Sequence, residues 1–135
     1  MPRRRNAAAA EQLTPLEFEI MQVLWETGTA NVQTVQAKLD GRSLAYTTVQ
    51  TMLNVLHRKG KVKRKLKDRA YLYSPVLSRQ TAIQKAVGDM LDRFFAGSAD
   101  SLVLNLVETH KLTSENLARL QKLVEQTEED TDGTR

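Results

Sequence analysis

The strongest constraint on this fold is a change of period at Gly60. Before it, apolar residues recur three and four positions apart; after it, they alternate. Thr14-Pro15-Leu16-Glu17 opens the helical side. A Thr cap, Pro at the first helical position and Glu three residues after the cap form a capping box. Leu16, Ile20, Val23 and Leu24 follow at helical spacing until Gly28. Asn31 can cap a short second helix with Val32, Val35 and Leu39 on one face and Gly41 beyond its end. A third helix is predicted over residues 46–59, with Val49, Met52, Leu53 and Leu56 inward. Residues 61–66 and 70–74 then read as two short strands around Lys67-Asp68-Arg69. Val62 and Leu66 share one face, as do Tyr71 and Tyr73, and Pro75 closes the second strand.

Three short helices followed by a hairpin are the parts of a winged helix-turn-helix. The predicted class is therefore mostly α: a winged helix over residues 13–75, then a three-helix domain over 76–127. Residues 1–12 form a basic, alanine-rich arm expected to be disordered, and 128–135 a loose acidic tail. In the second half, Ala82, Ile83, Ala86, Val87, Met90, Leu91, Phe94 and Phe95 make a wide apolar stripe that Gly97 breaks. Ser98 can cap a helix with Leu102, Val103, Leu104, Leu106 and Val107. Thr113 or Ser114 can cap a last one with Leu117, Leu120, Leu123 and Val124. These roughly 50 residues make a small core for independent folding. Their apolar surface is expected to meet a second copy, through Ile83, Val87, Met90, Leu91, Phe94, Leu102, Leu106 and Leu120. The plainer alternative folds them back onto the first domain.

Composition excludes several classes. The absence of cysteine rules out disulfide frameworks and thiolate metal sites. His57 and His110 lie far apart in sequence, so no metal or other cofactor is predicted. The four alanines after Arg3-Arg4-Arg5 are too short for a signal-peptide core, and no apolar run reaches membrane-spanning length, so a cytoplasmic protein without membrane insertion is expected. No nucleophile, base and oxyanion site come together, and no phosphate-binding glycine loop is present, so an enzyme is not predicted.

Charge indicates the partner. Residues 1–75 hold 13 basic and 6 acidic side chains, a net of +7; the remainder holds 7 and 10, a net of −3. Eight of the basic residues fall between Arg58 and Arg69, opposed only by Asp68. A charge run by itself is usually a solvated surface. The third helix gives this one a target. Opposite Val49 its wheel places Thr47, Thr51, Asn54 and Arg58, with Gln50 at the edge. All can donate hydrogen bonds and none is acidic. Amides suit adenine, Arg suits guanine, and Thr methyls suit thymine methyls in a major groove. Double-stranded DNA is the predicted partner, read by Tyr46, Thr47, Thr48, Gln50, Thr51, Asn54 and Arg58. Lys65, Lys67 and Arg69 on the wing are assigned to phosphates. The competing classes are a winged helix serving only protein contacts and a regulator released by a small ligand.

Longer stretches make the resemblance specific: Thr14-Pro15-Leu16-Glu17, Val23-Leu24-Trp25, Tyr46-Thr47-Thr48-Val49-Gln50-Thr51-Met52-Leu53, Arg58-Lys59-Gly60 and Arg69-Ala70-Tyr71-Leu72-Tyr73-Ser74-Pro75. In this order and spacing they resemble the penicillinase-repressor family of winged-helix regulators (the BlaI/MecI type, with a copper-responsive CopY branch). Ser101-Leu102-Val103-Leu104-Asn105-Leu106-Val107-Glu108 is similar to that family's dimerisation segment. The resemblance covers about residues 13–125. It implies a homodimeric repressor on a palindromic operator, with the third helix as reader and residues 76–125 as the dimer arm. Copper-responsive relatives use clustered cysteines, absent here; the acidic tail offers hard oxygen ligands that match Cu(I) poorly. Relatives responsive to β-lactams are cut within the arm after a membrane sensor protease is triggered. The matching bond is Asn105–Leu106.

Overall fold

A computed structural model describes residues 12–39 and 41–133, with side chains through Asp130. Of the arm predicted over residues 1–12, residues 1–11 lie outside the described residues. Among the described residues six helices and one hairpin follow in chain order: α1 (Pro15–Thr27), α2 (Val32–Lys38), α3 (Tyr46–Arg58), β1 (Val62–Lys67), β2 (Ala70–Pro75), α4 (Arg79–Phe95), α5 (Ala99–Glu108) and α6 (Ser114–Gly133). This is the mostly helical winged-helix architecture that the period change predicts.

Local signals account for the element ends. The Glu17 amide donates to Thr14 Oγ1 at 3.1 Å while the Thr14 amide donates to Glu17 Oε1 at 2.8 Å, completing the capping box. The Thr34 amide donates to Asn31 Oδ1 at 2.8 Å and starts α2. Gly60, at φ +75°, lets the chain turn from α3 into the hairpin. The first strand lies one residue later than the alternation alone placed it, and the second starts at Ala70 as expected but runs one residue further, because pairing runs out to Val62↔Pro75 and Lys67↔Ala70. That register leaves a two-residue turn, Asp68-Arg69, at φ +50° and +67°. Positive φ at both positions marks the mirror-image turn that matches strand twist.

Two compact units divide the chain, and the division falls within α4: the first runs to Val87, the second starts at Gly88. The first holds the core. Ile20, Met21, Leu24, Val35, Val49, Leu53 and Leu56 are fully buried, joined by Val62 and Tyr73 from the hairpin. A bridge absent from the sequence reading extends the hairpin: the Ala30 amide donates to the Tyr73 carbonyl at 3.0 Å, and the Tyr73 amide returns a bond to Ala30 at 2.8 Å. Trp25 is half-buried rather than closed into the core. Its indole packs edge-on against Phe18, and Nε1–H donates to the Leu77 carbonyl at 2.8 Å. The indole N–H needs such a partner when it leaves water.

In the second unit, α5 is capped by Ser98, whose hydroxyl accepts from the Ser101 amide at 3.1 Å. Thr113 starts α6: its Oγ1 accepts from the Asn116 amide while its own amide donates to Asn116 Oδ1. The loose tail predicted from residue 128 is corrected over its first part, because α6 continues to Gly133. Glutamates favour helix as well as water, and no glycine or proline interrupts the segment until Gly133. None of residues 88–130 is buried.

Candidate nucleic-acid interface

Helix α3 owes its orientation to its apolar edge. Val49, Leu53 and Leu56 are fully buried, and Met52 is half-buried against the same core. A 3.6-residue period then forces the intervening positions outward. Tyr46, Thr47, Thr48, Gln50, Thr51 and Arg58 are all exposed. No acidic residue lies in α3, and its last turn carries His57 and Arg58.

Asn54 departs from the wheel. It is half-buried, and its Oδ1 accepts from two donors at 3.0 Å: the Tyr73 hydroxyl and Arg64 Nη1. The sequence placed it with the base-reading residues; the fold turns its oxygen toward the hairpin. The reason lies in the register. Arg64 and Tyr73 are cross-strand partners, so their side chains share the hairpin face that meets α3.

The hairpin carries its charges on two faces. Val62, Arg64 and Leu66 alternate with Lys63, Lys65 and Lys67. The three lysines are exposed and lie opposite Ser74, Leu72 and Ala70. Arg69 is exposed at the turn. Thus Lys65, Lys67 and Arg69 share the outer end of the wing, while Arg64 stacks over the Tyr71 ring, 4.3 Å from its centroid. Lys59, within the same basic run, is engaged elsewhere: its ammonium sits 2.9 Å from Glu17 Oε2.

An open groove separates the start of α3 from the wing. Asn31, Gln33, Tyr46, Gln50, Arg69 and Tyr71 line it. Gln33 and Tyr71 were absent from the sequence-derived site. Gln33 lies on the exposed side of α2, next to the cap, where its polarity carried no distinguishing signal. The pairing of Tyr71 with exposed Leu66 near the wing's end becomes visible only from the strand register.

The residues assigned to self-association fall in both units. Ile83 and Val87 lie on α4 before the division, half-buried and exposed respectively. In the second unit Met90, Leu91, Leu102 and Leu106 are half-buried, whereas Phe94 and Leu120 are exposed. Asn105 is exposed, and its carbonyl accepts from the Thr109 amide at 3.0 Å and hydroxyl at 2.8 Å. The Asn105–Leu106 bond therefore lies within the last turn of α5. Among the described residues no group of three or more His, Cys, Asp or Glu side chains could hold a metal ion, and no helix is long and apolar enough to cross a membrane.

Comparison with known proteins places this arrangement. The penicillinase repressor family model matches residues 13–126. The penicillinase repressor of Bacillus licheniformis is 30% identical over 116 residues, 85% of this chain and 91% of that protein. The methicillin resistance regulatory protein MecI of Mammaliicoccus sciuri is 22% identical over 114 residues, 84% of this chain and 93% of that one. Among solved structures, hsRosR-S4 aligns over 93% of this chain and 96% of its own, with a TM-score of 0.52 and 18% identity, a likeness of fold alone. The DNA-binding domain of the repressor BlaI aligns over 52% of this chain and 87% of that domain, with 28% identity and a TM-score of 0.48. With the model spanning both the winged helix and the helical segment behind it, the chain belongs to the penicillinase repressor family, whose members are DNA-binding transcriptional repressors and not enzymes.

Proposed function

We propose that this repressor acts in the cytoplasm as a homodimer on a palindromic operator. Helix α3 reads bases in the major groove through Tyr46, Thr47, Thr48, Gln50, Thr51 and Arg58, while Lys65, Lys67 and Arg69 hold phosphates. The observation that carries this reading is an exposed, acid-free, hydrogen-bonding face on a helix whose other side is locked into the core, beside a hairpin with exposed cations. Base edges require donors at set positions, and phosphates require only charge.

The second unit supplies the argument for pairing. It leaves Phe94, Leu104, Leu123 and Val124 more than half exposed, and no described residue in it is buried. An amphipathic three-helix segment with its apolar residues in water is explained by a second copy that covers them. Pairing makes the second half-site contact intramolecular and strengthens binding by about 100-fold or more. A cut at Asn105–Leu106 by a membrane-bound sensor protease would remove that gain and leave the reading head untouched. Because the bond sits in a helical turn, cutting it requires local unwinding first.

The decisive experiment is a gel-shift titration of DNA upstream of the protein's own gene and its neighbours, against a scrambled competitor at near-physiological salt. Retardation at nanomolar protein that survives the competitor supports the reading; binding that the competitor abolishes refutes sequence-specific recognition of these sites. Sedimentation equilibrium tests the dimer. Coexpression with a sensor protease encoded beside the gene, followed by mass analysis for a cut at residue 105, tests the release.

A further inference from the structure

Asn54 is held in a way that base reading does not require. Its carbonyl oxygen takes one hydrogen bond from each strand of the wing: Arg64 Nη1 from β1 and the Tyr73 hydroxyl from β2, each at 3.0 Å. Tyr73 is only 1% exposed, so its hydroxyl is enclosed. Arg64 is held a second time by the Tyr71 ring, whose centroid lies 6.3 Å from that of Tyr73. One amide oxygen on α3 thus joins two side chains of the hairpin, and Arg64 brings in a third, Tyr71. Among the described residues the hairpin is otherwise held near its base: Val62 and Tyr73 enter the core, Ala30 pairs with Tyr73, and the Thr29 and Ser74 hydroxyls lie 3.1 Å apart. Beyond that point every residue from Lys63 to Tyr71 is exposed. The Asn54 bonds tie both strands to α3 at the Arg64↔Tyr73 rung, from which the exposed part of the wing projects.

We propose that Asn54 is a positioning residue that locks the wing to the recognition helix, so that phosphate contacts and base contacts engage one duplex as a rigid pair. The inference rests on the reading that α3 and the wing bind the same DNA. Asn54 then influences affinity through where it puts Lys65, Lys67 and Arg69, and not through a base edge. Each cation held in register adds to the salt dependence of binding, so loosening the wing shows as a smaller salt slope.

The test uses the full-length chain and two duplexes: one selected by the wild-type protein from a random library, and one random. Tyr73→Phe removes only the hydroxyl that Asn54 accepts from, at an enclosed site that DNA cannot touch. Asn54→Ala removes the acceptor, and the double variant completes a cycle. Far-UV circular dichroism and thermal melting check that each variant folds. The expected result is that Tyr73→Phe weakens binding to both duplexes by about threefold to tenfold, the loss of one hydrogen bond. The salt slope should also fall, and the double variant should be no more than about twofold weaker than Asn54→Ala alone. The proposal is overturned if Tyr73→Phe binds as wild type while Asn54→Ala loses preference at a single base pair, the mark of direct readout. If the wild type shows no preference for any selected duplex, sequence-specific reading fails instead. The salt slopes on the random duplex still judge the lock.

Discussion

The Glu17 carboxylate, at the first turn of α1, lies 2.9 Å from the Lys59 ammonium at the end of α3, 42 residues away. Glu17 is 1% exposed and also accepts from the Thr14 amide, so one buried side chain starts the first helix and anchors the end of α3. Removing Glu17 leaves Thr14 and Lys59 without their acceptor. Glu17→Ala is expected to cost about 2–4 kcal/mol, less than a fully enclosed pair because Lys59 can still turn to water. Glu17→Gln, which keeps an acceptor for the cap, should cost less than half of that. Urea unfolding followed by circular dichroism measures both; equal losses would contradict the ion pair's share.

Arg69 occupies φ +67° at the wing turn, a conformation that burdens any side chain with a Cβ. Arg69→Gly should relieve the strain and stabilise the fold by about 0.5–1 kcal/mol. The same change removes a cation proposed to hold phosphate, so the salt slope of DNA binding should fall by about one. Stability and affinity moving in opposite directions is the expected signature, read by thermal melting and by titrations at several salt concentrations.

Lys67 and Gln50 separate the two kinds of contact. Lys67→Ala should weaken binding to all sequences alike and lower the salt slope by about one. Gln50→Ala should relax preference at one base position, worth about 1–3 kcal/mol there, with little change of slope. Competition titrations against single-base variants of a selected duplex check both; identical profiles would contradict the division.

Phe94 is 74% exposed on α4, the most exposed of the large apolar side chains among the described residues. Phe94→Glu should convert the proposed dimer to monomer in sedimentation equilibrium and lower operator affinity by about 100-fold, the avidity lost when the two heads separate. A variant that remains dimeric would remove Phe94 from the pairing surface.

Features written within three or four residues of one another are legible without the fold. The Thr14 and Asn31 caps, the glycine at position 60, the α3 stripe and the switch to alternation all act locally, and the structure realises them. Locality also explains the error at the end of α6, where an acidic run that reads equally as solvated tail or helix continues to Gly133. Only the tertiary structure decided what Asn54 does. The wheel places it opposite Val49 among the exposed polar residues, yet it is half-buried. Its partners Arg64 and Tyr73, 10 and 19 residues away, meet it only because the hairpin register puts them on one face and Ala30 holds β2 in place. Glu17 and Lys59 are the same case at longer range. Periodicity reports which side of a helix is polar, but not the angle at which the next element crosses it, and that angle decides whether a polar side chain is left for DNA or taken by the protein.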